Sequence, residues 1–394
     1  MRQRRLRIAI VDDFNIYGTN VFTPPLVAEL SKREDVDVKC YVPRYRREAS
    51  SGTVPGVLVR HVWGPYDFPA NIYRSLVRDK RNLVFIPLEQ GTFGPTFLSL
   101  LLVPLLLLFC KFAGSKVVTN LQGAVPISEF NEAAETLVPG SRIPKILAKI
   151  GTFAIYRSVF GLSDEIQVFG RTFGNRVTEY GKFGSKVACV RFGVTKVDEG
   201  GSKSDRLTGA VKAPYILTFG HLVPRRGIHL LVQAFAEVSK SHPDTCLVLA
   251  GSQSRNPDYV HRLQEMVLAL GLKDKVALTG RVTDPEAVAL NRDAIAVVFP
   301  YLYSDSMSGP LCTAIALAKP VIATKVGLFS DIFQPGGALL CEPTPAGLAD
   351  AVDRALDSAD LRRRLARESL QLSQELDWTR VGEEYYQRLL KVIR

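Results

Sequence analysis

Arg225, Arg226 and Gly227 stand together where a short β-branched run, YILTFG, gives way to the helical pattern IHLLVQAFAEVSK. Two guanidinium groups just before a helix N-terminus combine permanent positive charge with backbone N–H groups, a combination suited to phosphate. The alternative is a solvated loop with both arginines in water. A second stretch has the same potential. In SDSMSGP, residues 304–310, Gly309 and Pro310 sit at the entry of an Ala-rich helical run, with Ser306 and Ser308 in position to cap it. Pro310 has no N–H, so the backbone donors there are Ser308, Gly309 and Leu311. Asp305 stands at the mouth of the same turn, and a third loop, KVGLFSDIF, carries Gly327 and Asp331. Gly, Arg and carboxylate on three loops point to a diphosphate with sugar hydroxyls beside it, held where small residues let a ligand approach the backbone.

Such loops need strands to carry them. RIAIVDD, VDVKCYVP, LVFIPL, KVVTNL, EIQVFG and KVACVRFGV are short apolar runs separated by segments of helical period, and this alternation argues for a parallel sheet with crossover helices. The pattern stops over residues 195–213, a polar Gly- and Ser-rich stretch that reads as a linker or a long surface loop. It restarts with YILTFG, TCLVLAG, KVALTG, IAVVFP, PVIAT and ALLCE, spaced by helices over 227–242 and 259–270. The fold class is therefore α/β, with two Rossmann-like doubly wound domains: 1–195, then a linker over 196–213, then 214–377. Ligands of open α/β sheets sit beyond the strands' carboxyl ends, where the three loops lie.

The charge is uneven. Residues 1–200 carry 27 Lys and Arg against 18 Asp and Glu, whereas residues 201–394 carry 23 against 21, so the excess belongs to the first half. Without an RNP-like strand, a zinc-finger spacing or a dense basic helix, nucleic acid is not an expected partner. A solvated basic face, an anionic lipid surface or a phosphorylated substrate remain. The six cysteines are scattered and never approach Cys-x-x-Cys spacing, which reads as buried thiols in a reducing compartment, with no metal site and no disulfides. The start, MRQRRLRIAIVDDF, has too short an apolar core for a signal peptide and reads as a first strand. The expected location is the cytoplasm. From Phe97 to Cys110 the chain is almost wholly apolar, yet fourteen residues are too few to span about 30 Å of hydrocarbon. Two readings stand: a core helix kinked at Pro104, or a segment partly facing the inner surface of a membrane, helped by the basic N-terminal domain.

The run from ILTFGHLVPRRGIHLLVQAFAEV through CLVLAGS, LGLKDKVALTGRV and AVVFPYLYSDSMSGPLCTAIALAKPVIATKVGLFSDI to LDWTRVGEEYYQRL resembles the C-terminal domain of family 4 glycosyltransferases. The likeness covers residues 215–390 in order. The N-terminal half is similar more loosely, through Tyr17-Gly18-Thr19-Asn20, KVVTNLQG and VRFGV. The resemblance implies the GT-B fold, two Rossmann-like domains facing across a cleft. It also implies transfer of a sugar from a nucleotide-diphosphate donor to a glycan or lipid-linked acceptor, with retention and with no metal or cofactor. The last helix, residues 378–394, has apolar residues at Val381, Tyr385, Leu389 and Val392 and by the same resemblance crosses back to the first domain.

Position by position, the family's Gly-Arg-x-x-x-x-Lys-Gly appears here as Gly220-His221 and Arg226-Gly227. Arg226 takes the lysine's place as the diphosphate cation, and His221 is a weaker, pH-dependent one. Aligned on AKPVIAT, the family's two glutamates seven residues apart become Asp305 and Thr313. Asp305 keeps a carboxylate for the donor sugar, whereas Thr313 cannot make a carboxylate's paired hydrogen bonds to the nucleotide ribose. Gln122 stands where many members carry a histidine near the donor sugar; it orients a hydroxyl but is no base. Gly18 lets the first-domain backbone close over the phosphates, with Gly220, Ser308, Gly309, Leu311 and Gly327 on the donor side. These departures keep two other classes in view: an inactive scaffold that binds no nucleotide, and a sugar-nucleotide epimerase, which needs cleft acids and histidines.

Overall fold

The computed structural model describes residues 5–13, 22–44, 57–89, 92–93, 97–123, 144–198, 200, 202, 204, 207, 209, 211, 214–251, 257–303, 308–333 and 336–394. The chain divides into two units, Met1–Gly193 with Trp378–Arg394, and Val194–Ser304 with Ser308–Asp377.

The first unit holds a seven-stranded parallel sheet in the order β3-β2-β1-β4-β5-β6-β7. Its strands are β1 Leu6–Val11, β2 Val36–Pro43, β3 Leu58–Trp63, β4 Leu83–Leu88, β5 Lys116–Leu121, β6 Glu165–Val168 and β7 Val187–Cys189. Strand β4 is apolar from end to end because it is buried on both faces, as a central parallel strand must be. Between the strands run α1 Thr23–Ser31, α2 Phe68–Asp79, α3 Phe97–Leu101, α4 Val103–Phe112, α5 Lys145–Leu162 and α6 Arg171–Glu179. Helices α2, α4 and α5 pack side by side in one layer. The single helix expected around Pro104 is two helices: the chain breaks at Leu102, and Pro104 falls in the first turn of α4, where a missing N–H costs nothing.

The second unit repeats the scheme with six parallel strands in the order β10-β9-β8-β11-β12-β13. These are β8 Tyr215–Phe219, β9 Cys246–Ala250, β10 Val276–Gly280, β11 Val297–Phe299, β12 Val321–Thr324 and β13 Leu339–Cys341. Its helices are α7 Ile228–Ser241, α8 Pro257–Ala269, α9 Asp284–Asp293, α10 Gly309–Ala316, α11 Gly327–Ile332, α12 Pro345–Asp357 and α13 Ala359–Glu375. In both sheets strand order reverses beside the first strand, which is the topological switch point of doubly wound sheets. The polar stretch 195–213 is more than a solvated tether. Leu207 and Val211 are buried, joined by a bond from Val211 N to Leu207 O of 2.9 Å, and Ser204 Oγ donates to Glu286.

The last helix, α14 Trp378–Ile393, belongs to the first unit and packs on α1. The ring of Phe22 lies 5.7 Å from that of Trp378 and 5.8 Å from that of Tyr385. All six cysteines are unpaired, and Cys40, Cys110, Cys312 and Cys341 are buried. Cys189 departs from the buried expectation because β7 is an edge strand and that residue faces solvent.

Candidate functional site

Two connections at the carboxyl edge of the second sheet, those after β8 and β11, meet around one guanidinium, and a third, after β12, backs them through Phe329. Strand β8 is followed by Gly220, whose φ of +117° a residue with a side chain rarely adopts. A Cβ there would lie 1.9 Å from Arg226 Nη1 and 2.9 Å from Pro310 Cγ, so the glycine is the space the arginine occupies. The chain then makes a short 3-10 turn, Pro224–Arg226, and enters α7 through Gly227 at φ +61°. A Cβ on Gly227 would stand 2.0 Å from the carbonyl oxygen of Pro300, which fixes this turn against the connection after β11. Leu302 N donating to Arg225 O at 3.0 Å closes the same contact.

Arg226 is buried, with Nη1 donating to Phe219 O at 3.3 Å and Cζ 5.2 Å from the centroid of the Tyr301 ring. That distance places the cation on an aromatic face within cation–π range. Tyr301 is itself held from behind: Thr324 Oγ1 donates to its carbonyl at 2.6 Å, and the Phe329 ring lies 5.0 Å from its own. The Tyr301 hydroxyl reaches Ser308 Oγ at 2.9 Å, both groups being buried. Ser308 is the N-cap residue of α10, but its side chain makes no capping bond because it is engaged with Tyr301. Ser308 therefore does not act as the cap, and Ser306, the other residue expected to cap this helix, lies outside the described residues. Burial pushes the Cys312 thiol in α10 up to about 12, so it is protonated near neutral pH and is no nucleophile.

The remaining positions fall as follows. Gly309 and Leu311 are in the first turn of α10, with Leu311 fully buried. Thr313 Oγ1 donates back to Gly309 O at 3.3 Å. His221 follows Gly220 and is half-buried. Gly327, at φ +46°, opens α11, the helix whose Phe329 supports Tyr301. Asp305 and Gly18 lie outside the described residues. Gln122 belongs to the first unit, just past β5, where its Nε2 donates to Asn120 Oδ1. Asn120 Nδ2 in turn reaches Gln167 Oε1 and the Tyr385 hydroxyl, each at 3.3 Å. Sequence reasoning missed Tyr301 and the Asn120–Tyr385 pair. Tyr301 follows a buried strand and reads as core. Asn120, inside the apolar run KVVTNL, was the available signal, since a buried amide needs partners.

Two parallel, doubly wound sheets in one chain are the components of the GT-B fold. Solved structures agree on the fold. Sucrose-phosphate synthase from Thermosynechococcus elongatus superposes with a TM-score of 0.74 at 15% identity, covering 98% of this chain and 99% of that one. Anabaena HepE in complex with UDP gives 0.72 at 14% identity, covering 98% and 100%. Residues 203–371, the greater part of the second unit, match the family model described as glycosyl transferases group 1. Among curated relatives, alpha-D-kanosaminyltransferase of Streptomyces kanamyceticus is 28% identical over 39% of this chain and 39% of its own length. D-inositol 3-phosphate glycosyltransferase of Acidothermus cellulolyticus is 27% identical over 58% of this chain and 54% of its own. The chain thus spans about half or less of the curated relatives it matches.

Proposed function

We propose that the chain transfers a sugar from a nucleotide-diphosphate donor to a glycan or lipid-linked acceptor, with retention of configuration and with no metal or other cofactor. The observation that carries this reading is the coupling of Arg226 to the start of α10. A buried cation and the backbone N–H groups of a helix's first turn stand on adjoining loops at the carboxyl edge of one sheet. Charge that develops on a leaving diphosphate is stabilised best by such preorganised groups, which need no reorganisation during the reaction.

In this mechanism Arg226 and the N–H groups of Ser308, Gly309 and Leu311 hold the diphosphate, and His221 adds a second, pH-dependent donor. Asp305 contacts the donor sugar. Thr313 lies where a ribose-binding carboxylate would be expected, so the ribose is held by other groups. Gly18 and Gly327 let backbone approach the phosphates, and Gln122 orients a hydroxyl on the acceptor side. The names of relatives support the donor class: HepE has been solved with UDP and with UDP-glucose, and the matched curated relatives are sugar transferases. The work is assigned to the cytoplasm, in keeping with six unpaired cysteines, and to its inner membrane face where the acceptor is lipid-linked.

The test is thermal stabilisation of the full chain by UDP, GDP, ADP and their sugar conjugates, repeated with Arg226→Ala. A nucleotide at a hundredfold excess over its Kd stabilises by about 2.7 kcal/mol. Stabilisation by one nucleotide and its loss in the variant supports the reading. No shift with any of them sinks it. Once a donor is found, NMR of the product's anomeric proton tests retention, and turnover in EDTA tests metal independence.

A further inference from the structure

The helix layer of the first unit presents an apolar surface that stays exposed among the described residues. On α4 the residues Val103, Leu106, Leu107 and Cys110 are buried, and they follow the helical repeat facing the sheet. The opposite row, Leu101, Leu105, Leu108 and Phe112, is exposed, Phe112 to 69%. Beside it, α5 exposes Ile146 to 64%, Ile150 to 58% and Leu147 between them. Fourteen large hydrophobic side chains are exposed among the described residues, and seven of them fall on these neighbouring helices, so the exposure is a patch and not scatter.

Two further observations decide what covers it. Neither α4 nor α5 contains an aspartate or glutamate, whereas α5 alone carries Lys145, Lys149 and Arg157. Arg157 continues the row of Ile146, Ile150 and Phe153 at helical spacing and is exposed, its guanidinium reaching Tyr180 O at 2.8 Å. Aliphatic rows on helices whose own charged residues are all cations match a surface with an apolar interior and an anionic skin. No helix among the described residues is long and apolar enough to cross a membrane, so contact has to be lateral. The placement is also useful. Asp164 N, just beyond the end of α5, bonds Val117 O near the start of β5. The N-terminal turn of α5, with Ile146 and Ile150, therefore lies toward the carboxyl edge of the sheet, the edge that carries Gln122.

We propose that the outward face of α3, α4 and α5 docks on an anionic lipid bilayer, with the helices lying in the membrane plane. The inference deepens the reading of a lipid-linked acceptor. Vesicle binding needs neither donor nor acceptor, however, so it and the nucleotide test fail separately.

The experiment is flotation of the full chain with phosphatidylcholine vesicles and with vesicles of equal parts phosphatidylcholine and phosphatidylglycerol. Leu105→Glu with Ile150→Glu alters exposed positions only, and unchanged melting temperature checks that the variant is folded. A second variant, Lys149→Glu with Arg157→Glu, tests the charge, with the same check of melting temperature because Arg157 also bonds Tyr180 O. The expected result is binding to the anionic vesicles, weakened by salt and reduced about tenfold or more by either pair. Absence of binding by the wild type, or equal binding by the Leu105/Ile150 variant, overturns the proposal. So does self-association without lipid that the same variant abolishes, because the face would then belong to a second copy of the chain.

Discussion

The hydroxyl of Tyr301 stands 2.9 Å from Ser308 Oγ, while the ring of the same residue faces the Arg226 guanidinium at 5.2 Å. One side chain thereby registers a cation on one loop with the first turn of a helix on another. Tyr301→Phe keeps the ring and loses only the bond, at a cost of about 1 kcal/mol. Tyr301→Leu loses the cation's platform as well. Calorimetric titration with the preferred nucleotide should rank affinity as wild type, then Tyr301→Phe, then Tyr301→Leu. Equal losses in the two variants would mean that the ring does not position Arg226.

Gly220 and Gly227 separate binding from folding. A methyl at Gly220 meets the Arg226 guanidinium and the Pro310 ring, side-chain atoms that must shift, whereas a methyl at Gly227 meets the backbone of Pro300. Both alanines also suffer a positive φ, at about 1–3 kcal/mol. Gly220→Ala is expected to remain folded with donor affinity reduced at least about tenfold, equivalent to about 1.4 kcal/mol. Gly227→Ala is expected to lower the melting temperature further than Gly220→Ala does. Thermal melts with and without nucleotide distinguish the two.

Tyr385 links the last helix to the end of β5. Removing its hydroxyl in Tyr385→Phe leaves Asn120 one partner short, and chemical denaturation should report a loss of about 1–2 kcal/mol. Truncation after Asp377 is far more severe. It uncovers Phe22 and the buried surface facing Val381, Tyr385 and Leu389, and the expected outcome is aggregation of the product. Recovery of a soluble, cooperatively melting fragment would contradict this.

Acid sensitivity has an identifiable contributor in the first unit. A hydrogen bond from Arg81 holds the Asp37 carboxyl below its ordinary value of 3.8, against the opposing effect of partial burial. A depressed carboxylate contributes stability that is fully present above its unfolded value and is lost as pH falls through the lower folded value. Asp37→Asn should therefore lower the melting temperature at neutral pH, with the difference from wild type closing below about pH 4. A difference that persists unchanged at acid pH would refute the assignment.

Much of this arrangement can be read from residue order. Apolar runs bounded by Gly, Ser and Pro identify both sheets, since parallel strands buried on two faces leave an unmistakable signature, and Gly220, Arg226 and Ser308 stand at strand ends for the same reason. What stays hidden depends on contacts distant in sequence. Ser308 looks like a cap until Tyr301 takes its hydroxyl, and Tyr301 looks like core until Arg226 lies on its ring. Leu207 and Val211 are masked by the polar composition around them. The break at Leu102 escapes because Pro104 can either kink a helix or begin one, and only packing decides.

The first unit is discontinuous: its sheet is complete by residue 193, but its cover comes from residues 378–394. On the ribosome the intervening stretch of roughly 180 residues takes about 10 to 40 s to make at 5–20 residues per second. During that interval the Phe22 cluster has no α14 to shield it, while the second unit acquires every element it needs. The nascent chain therefore finishes its domains in the reverse of the order in which it begins them, and the aromatic surface left waiting is where a chaperone would be needed.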